Sequence, residues 1–397
     1  MKKKILIITQ NFSPEIGSAA NRMKGVSENL STNYDLTIWT TAPQYPRKDI
    51  YDQSEFQQEE LKNAEVKRIA TKNKRFEKIL FFRFLLYLEV LWKLLRLVWE
   101  DKNEYDSILV TTPPLSIPII GLIAKRKFKS RLIVDVRDLW PETLKAVKGF
   151  FPRCIRYLAY PLERLIYRRA DKILVNSEGF IDYIRRIVGD EKEICFIPNS
   201  LTKNELIVEK QEVVDNQVTI IYAGNLGVAQ DLTLFLSLAH SFKEQSNVRF
   251  LVIGYGIHYK QMQQDIIDRE LTNVDIKPPE PREKVFQRLL KADIAYMGLD
   301  KHPVFQTVIP GKVIDYMGAS LPIIGVTSGY SKKIIEQAGA GVVIEKDGDF
   351  EILKNTVKEW IESPEIRMQH GRCGKNFAME HFNWEKNKEP LERIVAK

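Results

Sequence analysis

IPGKVIDYMGASLPII, residues 309–324, sets out in one short run a turn, a helix and a strand. Pro310 and Gly311 form the turn. A helix carrying Lys312, Asp315 and Tyr316 follows, then the small residues Gly318, Ala319 and Ser320, then an apolar strand from Leu321. A helix opening at a turn presents free backbone N–H groups and the positive end of its dipole, which is where a phosphate binds. Lys312 lies in the first turn and adds a full positive charge to that cradle. Asp315, three residues on and on the same face, is placed to accept hydrogen bonds from ribose hydroxyls. Taken alone, the segment also reads as an ordinary helix start with a solvated lysine.

Outward from this segment the chain repeats the same alternation. In the second half the strand candidates are Val218–Ala223, Val248–Ile253, Val274–Ile276, Ile294–Tyr296, Pro322–Val326 and Gly341–Val343. In the first half they are Lys4–Thr9, Tyr34–Thr40, Ser107–Thr111, Arg131–Asp135 and Lys172–Asn176, with long helical stretches between. Strands alternating with helices imply parallel sheets covered on both faces. Thr202–Gln217, rich in Lys, Glu, Asn and Gln, reads as a linker or surface loop. The expectation is an α/β chain of two doubly wound, Rossmann-like domains, 1–200 and 201–380, facing across a ligand cleft. The terminal helix, 381–397, is expected to pack back onto the first domain.

A length of 397 residues supports two substantial cores. Three scattered cysteines, Cys154, Cys195 and Cys373, argue against a disulfide framework and for a reducing compartment. MKKKILIIT is too short in its apolar part for a signal peptide and reads as a first buried strand. No uncharged apolar run approaches the roughly 18–20 residues of a membrane span. The net charge of +8 is unevenly placed: Lys72–Trp99 holds seven basic residues against two acidic, and Lys145–Arg169 seven against one. Both patches are dominated by aliphatic and aromatic residues, a mixture that suits an anionic membrane surface better than nucleic acid. On a helical wheel of Lys78–Glu100 the charged residues gather on one side, leaving an apolar arc wider than a surface helix needs. Two readings stay open for it: a helix buried between sheet and neighbours, or one lying on a bilayer. The second patch repeats the chemistry, and Phe81, Phe82, Phe150, Phe151, Arg153 and Arg156 are the candidate membrane and acceptor contacts.

Four further segments carry chemistry. PEIGSAANR (14–22) follows the first strand, where Gly17, Ser18 and Ala19 let the backbone approach a diphosphate, and Arg22 adds charge, forms a salt bridge or sits on the helix surface. VDVRDLWPE (134–142) packs Arg137, Asp138, Trp140 and Glu142 at the end of a strand, as a tuned acid/base or clamp would; Asp138 as a helix N-cap is the plainer alternative. YAGNLG (222–227) and IGYG (253–256) follow strands of the second half; Gly224 and Gly256 permit tight turns, and Asn225 and Gln230 can donate to phosphate oxygens. PPEPREK (278–284) precedes a helix, and its side chains say little. The only DxD pair, Asp347–Gly348–Asp349, reads as a turn, and no cluster has metal-ligand spacing.

ILIITQNFSPEIGSAANRM (5–23), IVDVRDLWPETL (133–144), IPNSL (197–201), IYAGNLGVAQDL (221–232), the segment 309–324 and HFNWEK (381–386) stand in the order found in family-4 glycosyltransferases. The chain resembles that family over essentially its whole length, and within it the bacterial capsule and O-antigen transferases of the L-fucosamine type. The resemblance implies the GT-B fold and retention of configuration. It also implies a UDP-activated N-acetylated sugar such as N-acetylfucosamine as donor, and an undecaprenyl-diphosphate-linked saccharide as acceptor. Cytoplasmic residence at the inner face of the membrane, no resident cofactor and no metal belong to the same reading. The loop of Gly17 then lies against donor phosphates and acceptor, and 278–284 frames the nucleobase. Many relatives carry a histidine near residue 138; here all five histidines lie in the second half, so Asp138, beside Arg137, becomes the candidate to hold a donor hydroxyl or take the acceptor proton. Relatives often place Arg and Lys near 225–230, so Lys312 carries more of the charge here. The family's paired acids fall on Thr307 and Asp315, so the earlier carboxylate is missing. Without a covalent nucleophile, the expected route is nucleotide departure with attack from the same face. The alternatives are a sugar-nucleotide epimerase of the same architecture and a non-catalytic sugar-nucleotide-binding partner.

Overall fold

The computed structural model describes residues 2–56, 61, 63–72, 80–147, 149–210, 217–345 and 349–396, without the side chains of Leu80, Phe81, Arg83 and Phe151. Lys78, Asp347, Gly348 and the side chains of Phe81 and Phe151, singled out above, lie outside this set. The chain divides into two compact units, Met1–Pro198 with Asn387–Lys397, and Asn199–Lys386.

Unit 1 is built on a parallel sheet of β1 (Lys4–Ile8), β2 (Asp35–Thr41), β3 (Ala64–Ile69), β4 (Ser107–Thr112), β5 (Arg131–Val136), β6 (Lys172–Val175) and β7 (Ile194–Phe196). The spatial order is β3-β2-β1-β4-β5-β6-β7, so the winding reverses between β1 and β4. Ile5 pairs with Leu36 on one side and Ser107 on the other. The central strands read as unbroken apolar and β-branched runs because helices cover both faces; all six residues of β4 are buried. β3, AEVKRI, is a half-buried edge strand, and β7 has three residues; neither has an apolar run long enough to be anticipated. In the helix Ser18–Ser31, Arg22 is buried, its Nη2 2.7 Å from Asp135 of β5 and its Nη1 2.8 Å from the carbonyl of Ile197. Arg22 therefore ties this helix to the sheet and takes the salt-bridge alternative. The terminal helix Trp384–Ala396 is tied to this unit by Ser107 Oγ donating to Val395 O at 3.1 Å and Asn33 Nδ2 to Glu392 at 2.7 Å.

Two helices of unit 1 bear on the apolar patches. In Leu80–Glu100, the stripe Leu86, Val90, Leu94 and Val98 is wholly buried, while Phe84, Leu88 and Trp92 stand exposed. Residues two apart on a helix point about 200° from each other, so the exposed stripe lies opposite the buried one. The helix is thus core along one side only. In Phe150–Arg169, Ile166 and Tyr167 are buried, whereas Phe150 is 81% exposed and Leu158 79%. Arg153 is exposed and Arg156 half-buried.

Unit 2 carries β8 (Val218–Asn225), β9 (Val248–Tyr255), β10 (Val274–Lys277), β11 (Ile294–Gly298), β12 (Ile323–Val326) and β13 (Gly341–Ile344), ordered β10-β9-β8-β11-β12-β13. Alternate residues of each strand feed two cores: Ile221, Ala223, Ala295 and Met297 on one face, Ile220, Tyr222, Ile294 and Tyr296 on the other. The stretch from Thr202, expected as a linker or loop, opens instead with a helix, Lys203–Ile207. Thr202 accepts from Glu205 N at 3.3 Å while Glu205 Oε2 accepts from Thr202 N at 2.8 Å, a capping box that ties up two otherwise orphaned donors.

Candidate active site

In unit 2 the sheet reverses between β8 and β11, and the loop after β8 faces the start of the helix Gly311–Gly318. Pro310 is the residue before that helix, with Gly311 first and Lys312 second. Lys312 Nζ donates to Tyr222 OH at 2.5 Å and Gln230 Oε1 at 2.7 Å and sits 4.0 Å from the centre of the Tyr222 ring. Tyr222 OH donates in turn to the carbonyl of Asn225 at 2.7 Å. Both partners of the ammonium are neutral, and burial lowers its pKa to about 7. Gln230, expected to donate to phosphate, spends its carbonyl oxygen on Lys312, which leaves its Nε2 for that work.

The backbone there is shaped for close approach. A Cβ on Gly224 (φ +137°) would lie 3.4 Å from Lys312 Cε. One on Gly256 (φ +131°) would meet Leu226 O at 2.6 Å and Asn225 Oδ1 at 2.5 Å, so no larger residue fits. Asn225 is exposed at this turn.

Asp315 lies one helical turn beyond Lys312 and is held by Arg282, whose Nη2 and Nη1 stand 2.7 and 3.3 Å from its two oxygens. Arg282 Nε donates to Glu205 at 2.7 Å. Burial raises the Asp315 pKa, with Arg282 opposing the rise. Asp315 and Glu205 hold the Arg282 guanidinium firmly charged against the cost of burial. The segment 278–284 thus does carry a meaningful side chain, contrary to the expectation above. Any ribose held by Asp315 meets a carboxylate already oriented by an arginine. Thr307, at the place of the missing acid, turns its hydroxyl back to Val304 O at 3.1 Å.

In unit 1, β5 runs directly into Arg137 and Asp138. Arg137 is buried, and its Nη2 donates to Pro113 O at 2.8 Å. Burial pushes the Asp138 pKa up to about 6, with the neighbouring Arg137 pulling it down. Asp138 caps no helix: the next helical segment, Glu142–Ala146, is preceded by Pro141, with no side-chain cap. The plainer reading of Asp138 is thereby removed. Glu142 is occupied by Tyr160 OH and Lys145, each at 2.5 Å. Gly17 (φ +118°) directly precedes the helix Ser18–Ser31.

Sequence reasoning missed a set of polar residues at the carboxyl ends of the unit 1 strands. The side-chain amide of Gln10 after β1, the hydroxyl of Thr112 ending β4 and Oδ1 of Asn176 after β6 are buried with no hydrogen-bond partner among the described residues. Buried orphans of this kind are rare in finished cores and common where a substrate completes the bonding. The available signal was the first polar residue after each apolar strand. Tyr222, Arg282 and Glu205 were missed as well, because their partners are distant in sequence. Among the described residues no group of acids, histidines and cysteines is arranged to hold a metal ion.

Residues 20–200 match the glycosyl transferase 4-like domain, and residues 203–377 match the glycosyl transferases group 1. An uncharacterized glycosyltransferase of Methanocaldococcus jannaschii is 22% identical over 417 residues, covering 100% of this chain and 99% of that one. Among solved structures, sucrose-phosphate synthase from Thermosynechococcus elongatus superposes with a TM-score of 0.77 at 15% identity, over 100% of this chain and 98% of that one. HepE of Anabaena, solved with UDP and glucose, gives 0.73 at 14%, over 100% of both chains. WaaG, a glycosyltransferase of lipopolysaccharide biosynthesis, gives 0.68 at 13%, over 99% of this chain and 100% of that one. These likenesses establish the GT-B fold.

Proposed function

We propose, for a chain that belongs to the glycosyltransferases of the GT-B fold through both of its units, that it moves a sugar from a UDP-sugar to a lipid-linked saccharide with retention of configuration. The observation that carries this reading is Lys312: a half-buried ammonium at a helix start, held by a tyrosine and an amide and, among the described residues, by no carboxylate. Such a group is short of negative charge, and a diphosphate supplies it. As the bond between the sugar and the diphosphate breaks, charge grows on the leaving oxygen. Lys312 and the N–H groups opening its helix stabilise that charge, without a metal. Asp315, held by Arg282, takes the ribose; Gly224, Asn225, Gln230 and Gly256 line the phosphates. Complexes of HepE with UDP, with UDP and glucose and with UDP-glucose support a uridine nucleotide donor.

Asp138 in unit 1 is assigned to the acceptor hydroxyl or a donor-sugar hydroxyl, with Arg137 beside it and Gln10 and Asn176 as hydrogen-bonding partners for saccharide hydroxyls. An N-acetylated donor such as N-acetylfucosamine, and a role in capsule or O-antigen assembly, rest on the resemblance of the sequence motifs. Peripheral membrane attachment is supported by the exposed apolar residues of the helices Leu80–Glu100 and Phe150–Arg169. No helix among the described residues is long and apolar enough to cross a membrane.

The test is turnover with a panel of sugar nucleotides and undecaprenyl-diphosphate saccharides, read by mass spectrometry, for wild type and Lys312→Ala. One donor–acceptor pair should react in the presence of a chelator, and Lys312→Ala should lower its rate by about 10²–10³-fold. Full activity in the variant, or loss on chelation, removes the mechanism.

A further inference from the structure

Unit 2 holds a cavity of about 1070 Å³ away from Lys312. Lys291 and Asp293, which line it, immediately precede β11, and Ser320 lies shortly before β12. The cavity therefore opens at the amino ends of these strands, whereas the candidate nucleotide site lies at their carboxyl ends, roughly 15 Å away at ~3.3 Å per residue. The helix Lys203–Ile207 with Lys210 forms one wall, and one side of the helix Pro364–His381, from Pro364 to Met379, forms another.

Six cations line this space against three carboxylates. Asp293 stands 3.7 Å from Arg367 and also accepts from Thr219 N at 2.9 Å; Glu385 stands 3.7 Å from Lys203. Lys375 Nζ is spent on the carbonyl of Val208 at 2.8 Å. Lys210, Lys291 and Arg372 have no hydrogen-bond or ion-pair partner among the described residues. Lys210 is the most confined: burial pulls its pKa down to about 8, with Asp293 opposing the fall and Arg367 adding to it. Keeping a half-buried cation charged near Arg367 costs the protein, and an anion reverses the sign. Beside the cations, Ile207, Met368 and Met379 are exposed, which suits the organic part of a ligand better than a bare ion.

We propose that this cavity binds a small organic phosphate, independently of the nucleotide site, with Lys210, Lys291 and Arg372 receiving the phosphate group. Neither the glycosyl transfer reaction nor the assigned donor and acceptor residues call for such a site.

Calorimetric titration of the Lys312→Ala chain with glucose 6-phosphate, pyrophosphate and inorganic phosphate tests it, because that chain lacks the cation of the nucleotide site. Glucose 6-phosphate should bind, and more tightly than inorganic phosphate. Adding Lys210→Gln and Arg372→Gln should weaken it at least about tenfold, as loss of charge-assisted hydrogen bonds does, with the cooperative melt retained. Arg372→Lys, which keeps the charge, should lose less. No binding to the Lys312→Ala chain, or binding that ignores Lys210→Gln and Arg372→Gln, overturns the proposal. So does binding seen only once Glu212→Gln and Asp215→Asn remove the carboxylates next in sequence, because the cations then serve the chain itself.

Discussion

Burial shifts Lys312 down and Asp138 up in pKa, each toward its neutral form, and in each case the cost of carrying charge points to a ligand. With a pKa lowered to about 7 by burial, Lys312 is largely neutral in the free protein at pH 8. A bound diphosphate favours the ammonium, so its pKa rises in the complex and binding takes up a proton. UDP affinity should accordingly fall as pH rises above about 7, by up to tenfold per unit while one proton is linked. Calorimetry at pH 8, above the phosphate's own pKa near 6, should show heats that depend on the ionisation enthalpy of the buffer. Heats independent of buffer mean that Lys312 is already charged and the charge-deficit argument fails. Asp138 runs the other way. Its pKa is raised to about 6, so between the unfolded value and that point the folded chain binds the extra proton, and stability falls as pH rises through this window. Asp138→Asn should therefore raise the melting temperature at pH 7 while lowering turnover about 10²–10⁴-fold and removing the acid limb of the rate profile near pH 6. A variant that turns over normally, whatever its melting point, takes the residue out of the mechanism.

The helix Leu80–Glu100 carries two apolar stripes where a surface helix has one. Leu86, Val90, Leu94 and Val98 are spent on the core; Phe84, Leu88 and Trp92 stand exposed, and the surrounding segment is basic. Apolar area buried in a bilayer contributes about 25 cal/mol per Å², and each basic residue near an anionic surface adds about 1 kcal/mol. Phe84→Ser, Leu88→Ser and Trp92→Ser together should release the protein from anionic liposomes in flotation at low salt, with little change in melting because none of the three is core. A wild-type protein that stays with the dense fraction under those conditions leaves the stripe without a membrane role. A helical wheel shows the wide apolar arc but not which side is covered, since coverage depends on neighbours distant in sequence. Strands with continuous apolar runs were legible for the same reason that this arc was: burial leaves a composition. β3, half-buried at a sheet edge, leaves almost none. The helix after Thr202 was legible in principle, for Thr202 and Glu205 stand at capping-box spacing, but polar composition outweighed that signal.

At the scale of the molecule, the two sheets share one winding, and each reverses beside its first strand, which places the loops after β1, β5, β8 and β9 and the start of the Lys312 helix at carboxyl ends. That placement made Lys312, Asp138 and the glycines legible, because they stand next to strands that the pattern reveals. Arg282 and Tyr222 were not, because only folding brings Arg282 to Asp315 and Tyr222 to Lys312. The same topology yields a test that needs no acceptor. Segments 222–230, 254–258 and 309–316 are remote in sequence and meet at one end of the unit 2 sheet. A nucleotide bound there should slow amide exchange in all three together, since it orders loops whose openings are otherwise local. UDP should protect these segments in wild type and lose that effect in Lys312→Ala, while the amino-end loops around 291–293 and 320 exchange as before. Protection centred on 291–293 and 320 with none at 309–316 would place the nucleotide in the cavity at the opposite end of the sheet, and Lys312 would then need another explanation.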